Sequence, residues 1–458
     1  MTQIAKEIFK AYDIRGIVET QLTPSTVESI GKVLGSIAKE QKVSGIVVGY
    51  DGRLTSPMLS KSLIKGILST GTNVYNIGQV ITPMVYFANY ALNTYSGVMI
   101  TGSHNPPEYN GLKMVMAGET LSGDKIQDIL QRIINKKYKT HTVGTEYIED
   151  ISESYFNKIT ADIKLNRRLS VVVDAGNGAA GKVAPILFRR MGCKVRGLFC
   201  EVDGNFPNHH PDPSKIENLA DLQHALKTTD AEIGLAFDGD GDRLGIVTKD
   251  GNIIFPDRQM MLFAADILHK NPEAKIIYDV KSSRLLAQWI KENNGQAIMC
   301  RTGHSFVKAK IKETGALLAG EMSGHLFFND RWYGCDDGVY AGARMLEILS
   351  QVEDPSALLN ALPNCISTPE LNIDVEKEGL QHKIIDELQK TAKFATSEQI
   401  ITIDGLRVEY KDGFGLVRAS NTTPVLVLRF EADNKKALER IQSEFRKILK
   451  PHVNNLSF

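Results

Sequence analysis

SVVVDAGNGAAGKVAPILFRRMGCKVRGLF, residues 170–199, decides the fold class. Val171, Val172 and Val173 form a continuous apolar run, which suits a strand covered on both faces. A small polar turn follows, then KVAPILFRRMG with helical spacing, closed by a glycine and a second apolar run. Strand, turn, helix, strand is the building unit of an α/β sheet. The unit recurs. IVVG (46–49) leads through YDGR to MLSKSLIKGILSTG and NVYNIG. AKIIYDV (274–280) leads through KSSR to LLAQWIKENNG and QAIMCR. A return at intervals of roughly a hundred residues predicts three similar mixed α/β domains.

Beyond about Pro369 the pattern changes. LNIDVE, a helical QHKIIDELQKTAKFA and the strands ITIDGLRVEY, FGLVRAS and VLVLRFEA predict a smaller α+β C-terminal domain. Polar segments near 139–150 and 364–370 serve as linkers. The predicted domains are 1–149 with a serine loop, 150–252 with an acidic loop, 253–366 with the loop GEMSGH and 367–458 with the loop RASNTT.

Composition bounds the function. A chain of 458 residues exceeds what one core normally supports. Acidic and basic residues balance at 54 each, so no long-range field draws nucleic acid or an anionic membrane. Five scattered cysteines without a CxxC pair argue against a disulfide framework and for a reducing compartment. The N-terminal MTQIAKEIFKAYDIRG carries charges where a signal peptide is apolar, so a cytoplasmic location is expected.

The chemistry concentrates in loops. In IGLAFDGDGDRLGIV (233–247), LAF ends a buried strand, and Asp238, Asp240 and Asp242 emerge where α/β proteins place ligands. Gly239 and Gly241 let the three side chains converge, and carboxylates held that close repel unless a cation neutralises them. An EF-hand would need glycine and glutamate where Arg243 and Lys249 stand. Few protein ligands with positions left for a phosphate oxygen describe Mg²⁺; a solvated acidic turn is the alternative.

VMITGSHNPPEYNGLKMV (98–115) sets Ser103 and His104 in a loop after a strand, with Lys113 ten residues on. A base, cations and a metal could activate such a serine, or the stretch is a simple turn. The segment Gly176–Val183 satisfies G-x-G-x-x-G, with Glu201 and Asp203 near the spacing of a ribose acid. Val183 denies the P-loop reading. Close packing of a helix on the sheet is favoured over dinucleotide binding, which stays as an alternative. GEMSGH (320–325) offers Glu321 and Ser323 to sugar hydroxyls and His325 to a proton. RTGHSFVK adds His304, and VRASNTTPVLVLRFE places Arg418, Ser420, Asn421, Thr422 and Thr423 before a strand as a phosphate cradle.

In order, KAYDIRG, TGSHNPPEYNGLK, DGDGDR, GEMSGH and RASNT resemble the phosphoserine-dependent phosphohexomutases over essentially the whole chain. Met322 is similar to the bacterial phosphomannomutase/phosphoglucomutase branch. Gly102, where many members carry alanine, is expected to loosen its loop; Thr423 stands where numerous relatives have glutamate. The resemblance implies four domains around a central cleft, with the last as a lid. It implies a phosphorylated Ser103, with Mg²⁺ joining it to Asp238, Asp240 and Asp242. Arg243 would contact the phosphoserine region, and Arg15, His104 and Lys113 would surround the transferred group. Tyr12, Lys281, His304, Arg418, Ser420, Asn421 and Thr422 would grip the non-reacting phosphate, Glu321 and Ser323 the sugar hydroxyls, and His325 would relay a proton. The implied reaction interconverts hexose 1-phosphate and hexose 6-phosphate, of mannose or glucose, through a hexose 1,6-bisphosphate. The expected partners are small sugar phosphates, with no nucleic acid or membrane and a monomeric chain. A Mg²⁺-dependent sugar phosphatase with the same seryl intermediate is the second reading.

Overall fold

The apolar runs become central strands. In the computed structural model, which describes residues 4–421, 423–453, 456 and 458, the chain forms two compact units. One comprises Met1–Gln259 with Ser323–Ala361, the other Met260–Met322 with Leu362–Phe458.

The first unit holds two sheets. In one, Ile46–Tyr50 lies between the parallel strands Val74–Gln79 and Gly97–Ile100. Glu146–Ile148 extends it in parallel, while Tyr109–Met116 and then Ile14–Ile17 add antiparallel strands at the other end. Ile46, Val47 and Val48 are wholly buried, which accounts for their unbroken apolar run. The helix Pro24–Glu40 begins where it does because Thr23 accepts a hydrogen bond from the Thr26 amide and Pro24 fills the first turn.

In the other sheet, Ser170–Asp174 sits between parallel Lys194–Leu198 and Ile233–Phe237. Ile233–Phe237 turns back antiparallel into Leu244–Thr248, with Phe237 opposite Leu244. Residues 238–243 are therefore the loop of a hairpin whose strands are fully buried. Each core valine or leucine here contributes about 1.5–3 kcal/mol by leaving water. That anchors the loop's two ends.

In the second unit Lys275–Asp279 lies between parallel Gln296–Cys300 and Leu318–Gly320. The C-terminal sheet is antiparallel: Val425–Ala432 pairs Gly413–Ala419, which pairs Leu406–Tyr410. Leu371–Asp374 joins the outer side of Val425–Ala432, and the helices Leu380–Thr391 and Lys435–Leu449 cover this sheet. One expected strand is divided. ITIDGLRVEY becomes the antiparallel pair Gln399–Ile401 and Leu406–Tyr410, because Gly405 takes φ +84° and turns the chain. The four-domain α/β architecture with a smaller α+β domain is present.

Candidate active site

The hairpin loop of the first unit folds over the serine loop. Ser103 is 1% exposed, and its Oγ donates to Asp238 Oδ2 at 2.9 Å. The other oxygen of Asp238 accepts the amides of Asp242 and Arg243, at 3.1 and 3.2 Å. A Cβ on Gly239 would lie 2.4 Å from the Ser103 carbonyl oxygen, so only glycine lets the two backbones approach this closely. Gly241, at φ +74°, makes the turn that returns Asp242 to the same side as Asp238.

Lys113, on the strand Tyr109–Met116, reaches between the acids: its ammonium donates to Asp240 Oδ2 at 2.7 Å and Asp242 Oδ2 at 2.5 Å. Thr82 also donates to Asp240 Oδ2, at 2.5 Å. The charges tune one another. Burial, then the Asp240 and Asp242 charges, push the Asp238 carboxyl well above its ordinary range. Burial also acts to raise Asp240, but the Lys113 charge and the Lys113 and Thr82 hydrogen bonds outweigh it and hold Asp240 low. Lys113 is raised despite burial, by Asp240, Asp242 and Asp238.

These residues fit a hard divalent cation. The three carboxylates offer oxygens within 4.8 Å of one another. Asp240 Oδ1 and Asp242 Oδ1 are buried and accept no hydrogen bond among the described residues, although His325 Nδ1 lies 3.5 Å from Asp242 Oδ1, and a cation meeting both would offset the cost of burying them.

The predicted neighbours assemble in the same unit. Arg15 donates to Asp13 Oδ2 and to Asn105 Oδ1, each at 2.5 Å, which ties its strand to the serine loop. Tyr12 lies in the bend before that strand. His104 Nδ1 is 3.2 Å from Ser103 Oγ, and burial followed by the charges of Arg243, Arg15 and Lys113 keeps the imidazole neutral far below its ordinary titration range. Arg243 donates from Nε to His325 Nε2 at 3.1 Å, and His325 Nδ1 faces Asp336 Oδ2 at 3.2 Å.

The second unit carries the other predicted group. Lys281 follows the strand Lys275–Asp279 and pairs with Glu370 at 2.9 Å. Arg418 pairs with Asp404 at 3.0 Å, and the same Asp404 oxygen accepts the Thr302 amide. Next along the chain, the Gly303 amide donates to Glu321 Oε1 at 2.6 Å, and His304 opens the helix His304–Thr314. Ser420 shares a hydrogen bond with Thr423, at 3.0 Å between hydroxyls, and Asn421 follows in the same turn. Thr422 lies outside the described residues. The chain leaves the second unit inside GEMSGH: Glu321 belongs there, whereas Ser323 and His325 belong to the first unit.

Residues 6–141, 145–251 and 255–365 match phosphoglucomutase/phosphomannomutase alpha/beta/alpha domains I, II and III, and residues 370–448 match its C-terminal domain. The chain belongs to the phosphoglucomutase/phosphomannomutase family. It is 56% identical to the phosphoglucomutase of Neisseria gonorrhoeae over 456 residues, covering 99% of both chains. It is 53% identical to the phosphomannomutase/phosphoglucomutase of Pseudomonas aeruginosa, covering 97% of this chain and 95% of that one. A crystal structure of a phosphoglucomutase/phosphomannomutase family protein from Burkholderia thailandensis superposes with a TM-score of 0.94 at 54% identity, covering 99% of each. The protein is accordingly a phosphohexomutase that interconverts hexose 1-phosphate and hexose 6-phosphate.

Of the two readings of the glycine-rich turn, the favoured one, close packing, is what the structure shows. The glycine-rich turn is filled by protein: a Cβ on Gly178 would meet Gly239 at 2.9 Å, one on Gly181 would meet the Cys200 carbonyl at 2.2 Å, and the Ala179 amide donates to Gly239. The turn buttresses the aspartate loop and leaves no cradle for a dinucleotide. At Gly102 the space that the missing Cβ vacates is taken by the Arg53 guanidinium, 2.5 Å from the Cβ position, so an alanine there would have to displace it. Thr82, Asp336 and Arg53 belong to none of the candidate-site motifs described above, and only the fold brings them here.

Proposed function

We propose that Ser103 carries the phosphoryl group between the two halves of the mutase reaction, with D-mannose and D-glucose phosphates as substrates. The observation that carries this reading is a buried serine hydroxyl 2.9 Å from one of three converging carboxylates, two of which hold an oxygen that accepts no hydrogen bond among the described residues. Asp238, Asp240 and Asp242, with an oxygen of the seryl phosphate, would hold Mg²⁺. Bound there, the ion supplies charge neutralisation and polarises the phosphoryl oxygens. Three carboxylates against Lys113 and Arg243 leave one net negative charge. A phosphate ester adds about two more, which a divalent cation offsets, returning the cluster to about one net negative charge.

In the first half-reaction the bond between phosphorus and Ser103 Oγ breaks and one to the free sugar hydroxyl forms, giving the 1,6-bisphosphate. The hydroxyl's proton passes to a base of the first unit, and an equivalent proton is delivered to the leaving Ser103 Oγ. In the second, the bisphosphate's other phosphate returns to Ser103 Oγ and the sugar oxygen recovers a proton. Neutral His104, 3.2 Å from Oγ, can take the serine proton at Nδ1. Arg15 and Lys113 stabilise charge on the moving group, and Arg243, held by His325, steadies the aspartate loop. His325 relays a proton through its Asp336 side. Tyr12 and, on the second unit, Lys281, His304, Arg418, Ser420, Asn421 and Thr422 receive the non-reacting phosphate, and Glu321 and Ser323 the sugar hydroxyls. One generic set of donors serves both orientations of the bisphosphate. The enzyme acts in the cytoplasm, as a monomer and on small sugar phosphates alone, and its balanced charge draws neither nucleic acid nor an anionic membrane.

The test is to load the enzyme from glucose 1,6-bisphosphate, locate the phosphate by mass spectrometry and add glucose 1-phosphate or mannose 1-phosphate. The expected result is phosphate on Ser103 and conversion to the 6-phosphate. Phosphate elsewhere would refute the assignment, and release of inorganic phosphate alone would make the protein a phosphatase.

A further inference from the structure

The serine loop needs a holder. Ser103 sits at φ +48°, a conformation that L-residues other than glycine seldom adopt. Something must impose it, because this backbone angle directs Oγ at Asp238. The loop's carbonyls point inward to one side chain. Arg53, itself 1% exposed, donates from one terminal nitrogen to the carbonyls of Ser103 and Asn105, at 2.8 and 2.5 Å. Its other terminal nitrogen donates to those of Pro106 and Tyr109, at 2.6 and 2.9 Å. Asp51 completes the fixture: one oxygen accepts the Arg53 amide and the Ser56 hydroxyl, the other accepts the Gly102 amide at 3.2 Å. Phe206 closes over the guanidinium, 5.2 Å from ring centre to Cζ.

We propose that Arg53, steadied by Asp51, is a positioning residue for phosphoryl transfer, which holds the serine loop in its strained turn. It touches neither the sugar nor the reacting atoms. A planar fork with five N–H donors can satisfy four carbonyls at once, and an ammonium cannot. Asp51 directly follows the strand Ile46–Tyr50 and Arg53 comes just after it, so the loop is referenced to the centre of the sheet. The proposal rests on Ser103 being the phosphoryl carrier.

The experiment compares the full-length enzyme with Arg53→Lys, Arg53→Ala and Asp51→Asn variants. It measures kcat and KM for glucose 1-phosphate, thermal melting, and rescue of Arg53→Ala by free guanidinium ion. Displacement of the serine predicts that Arg53→Lys loses about a hundredfold in kcat. Its KM should stay within about twofold, since binding groups are untouched. Asp51→Asn should lose about tenfold in kcat, and guanidinium should return part of the Arg53→Ala activity. Arg53→Lys turning over like the unmodified enzyme, or losing KM rather than kcat, overturns the proposal. So does loss of cooperative melting in both Arg53→Lys and Asp51→Asn, which would assign the pair to stability. Mass spectrometry of the unmodified phosphoenzyme separates the two readings. Absence of phosphate on Ser103 sinks both, whereas a phosphorylated Ser103 with a normal Arg53→Lys sinks this one alone.

Discussion

The cations of the two units have different kinds of partner. In the first, Lys113 is 3% exposed and lies among acids that are themselves fully buried. In the second, Lys281 holds Glu370, whose side chain is 38% exposed, and Arg418 holds Asp404 at 10%. A buried set whose members fix one another is organised before substrate arrives, which is what stabilising a transition state requires. Cations resting on displaceable acids are organised to exchange a partner. Changes in the first unit should therefore act on kcat, and changes in the second on KM.

The largest expected break is Ser103→Ala. It removes the acceptor, and turnover in both directions should fall by at least about four orders of magnitude. Measurable phosphate exchange with glucose 1,6-bisphosphate in that variant would reassign the carrier. Asp240→Asn comes next. It keeps shape but weakens the grip on both Lys113 and the cation, so kcat should fall about a thousandfold, most steeply at limiting Mg²⁺. Unchanged turnover at limiting Mg²⁺ would remove the triad from the metal.

Arg418→Ala tests the other side of the comparison. Losing a charge-assisted hydrogen bond worth about 1.5–3 kcal/mol should raise KM for glucose 1-phosphate about ten- to hundredfold, with a smaller effect on kcat. A fall in kcat at constant KM would mean that the two units do not divide the work in this way. Glu370→Gln sharpens the point because its sign is opposite. Freeing Lys281 from a part-exposed partner should lower KM by up to about fivefold, given what such pairs are worth. If KM rises instead, Glu370 helps to build the cradle.

The same contrast explains what could be read from sequence. The strands were legible because Val171–Val173 and Ile46–Val48 are buried on both faces and so must be apolar without interruption. The aspartate loop was legible because its chemistry is local: three acids and two glycines lie within five residues. Arg53 was not, since all four of its carbonyl partners lie at least 50 positions away and backbone acceptors leave no mark on sequence. Thr82, 158 positions from Asp240, was hidden for the same reason. The split of ITIDGLRVEY was missed because a single glycine inside an apolar run reads equally as strand or turn.

Buried acid also makes stability in the first unit depend on pH in a direction opposite to that of an ordinary salt bridge. Asp337 caps the helix Gly338–Leu349 by accepting the Tyr340 amide at 2.8 Å, and the Tyr155 hydroxyl donates to both its oxygens. Burial raises its carboxyl from 3.8 to about 7, against the pull of those donors. The unfolded chain gives up this proton at the lower value and the folded chain holds it to the higher one. The contribution is therefore complete below 3.8 and is lost as pH climbs through about 7. Integrated over that window, the loss is on the order of 4 kcal/mol. Asp337→Asn keeps a neutral cap, so its melting temperature should vary less across the window than that of the unmodified enzyme. An unchanged slope in the variant would mean that Asp337 is already ionised in the folded protein at the low end, with the Tyr155 and Tyr340 donors outweighing burial.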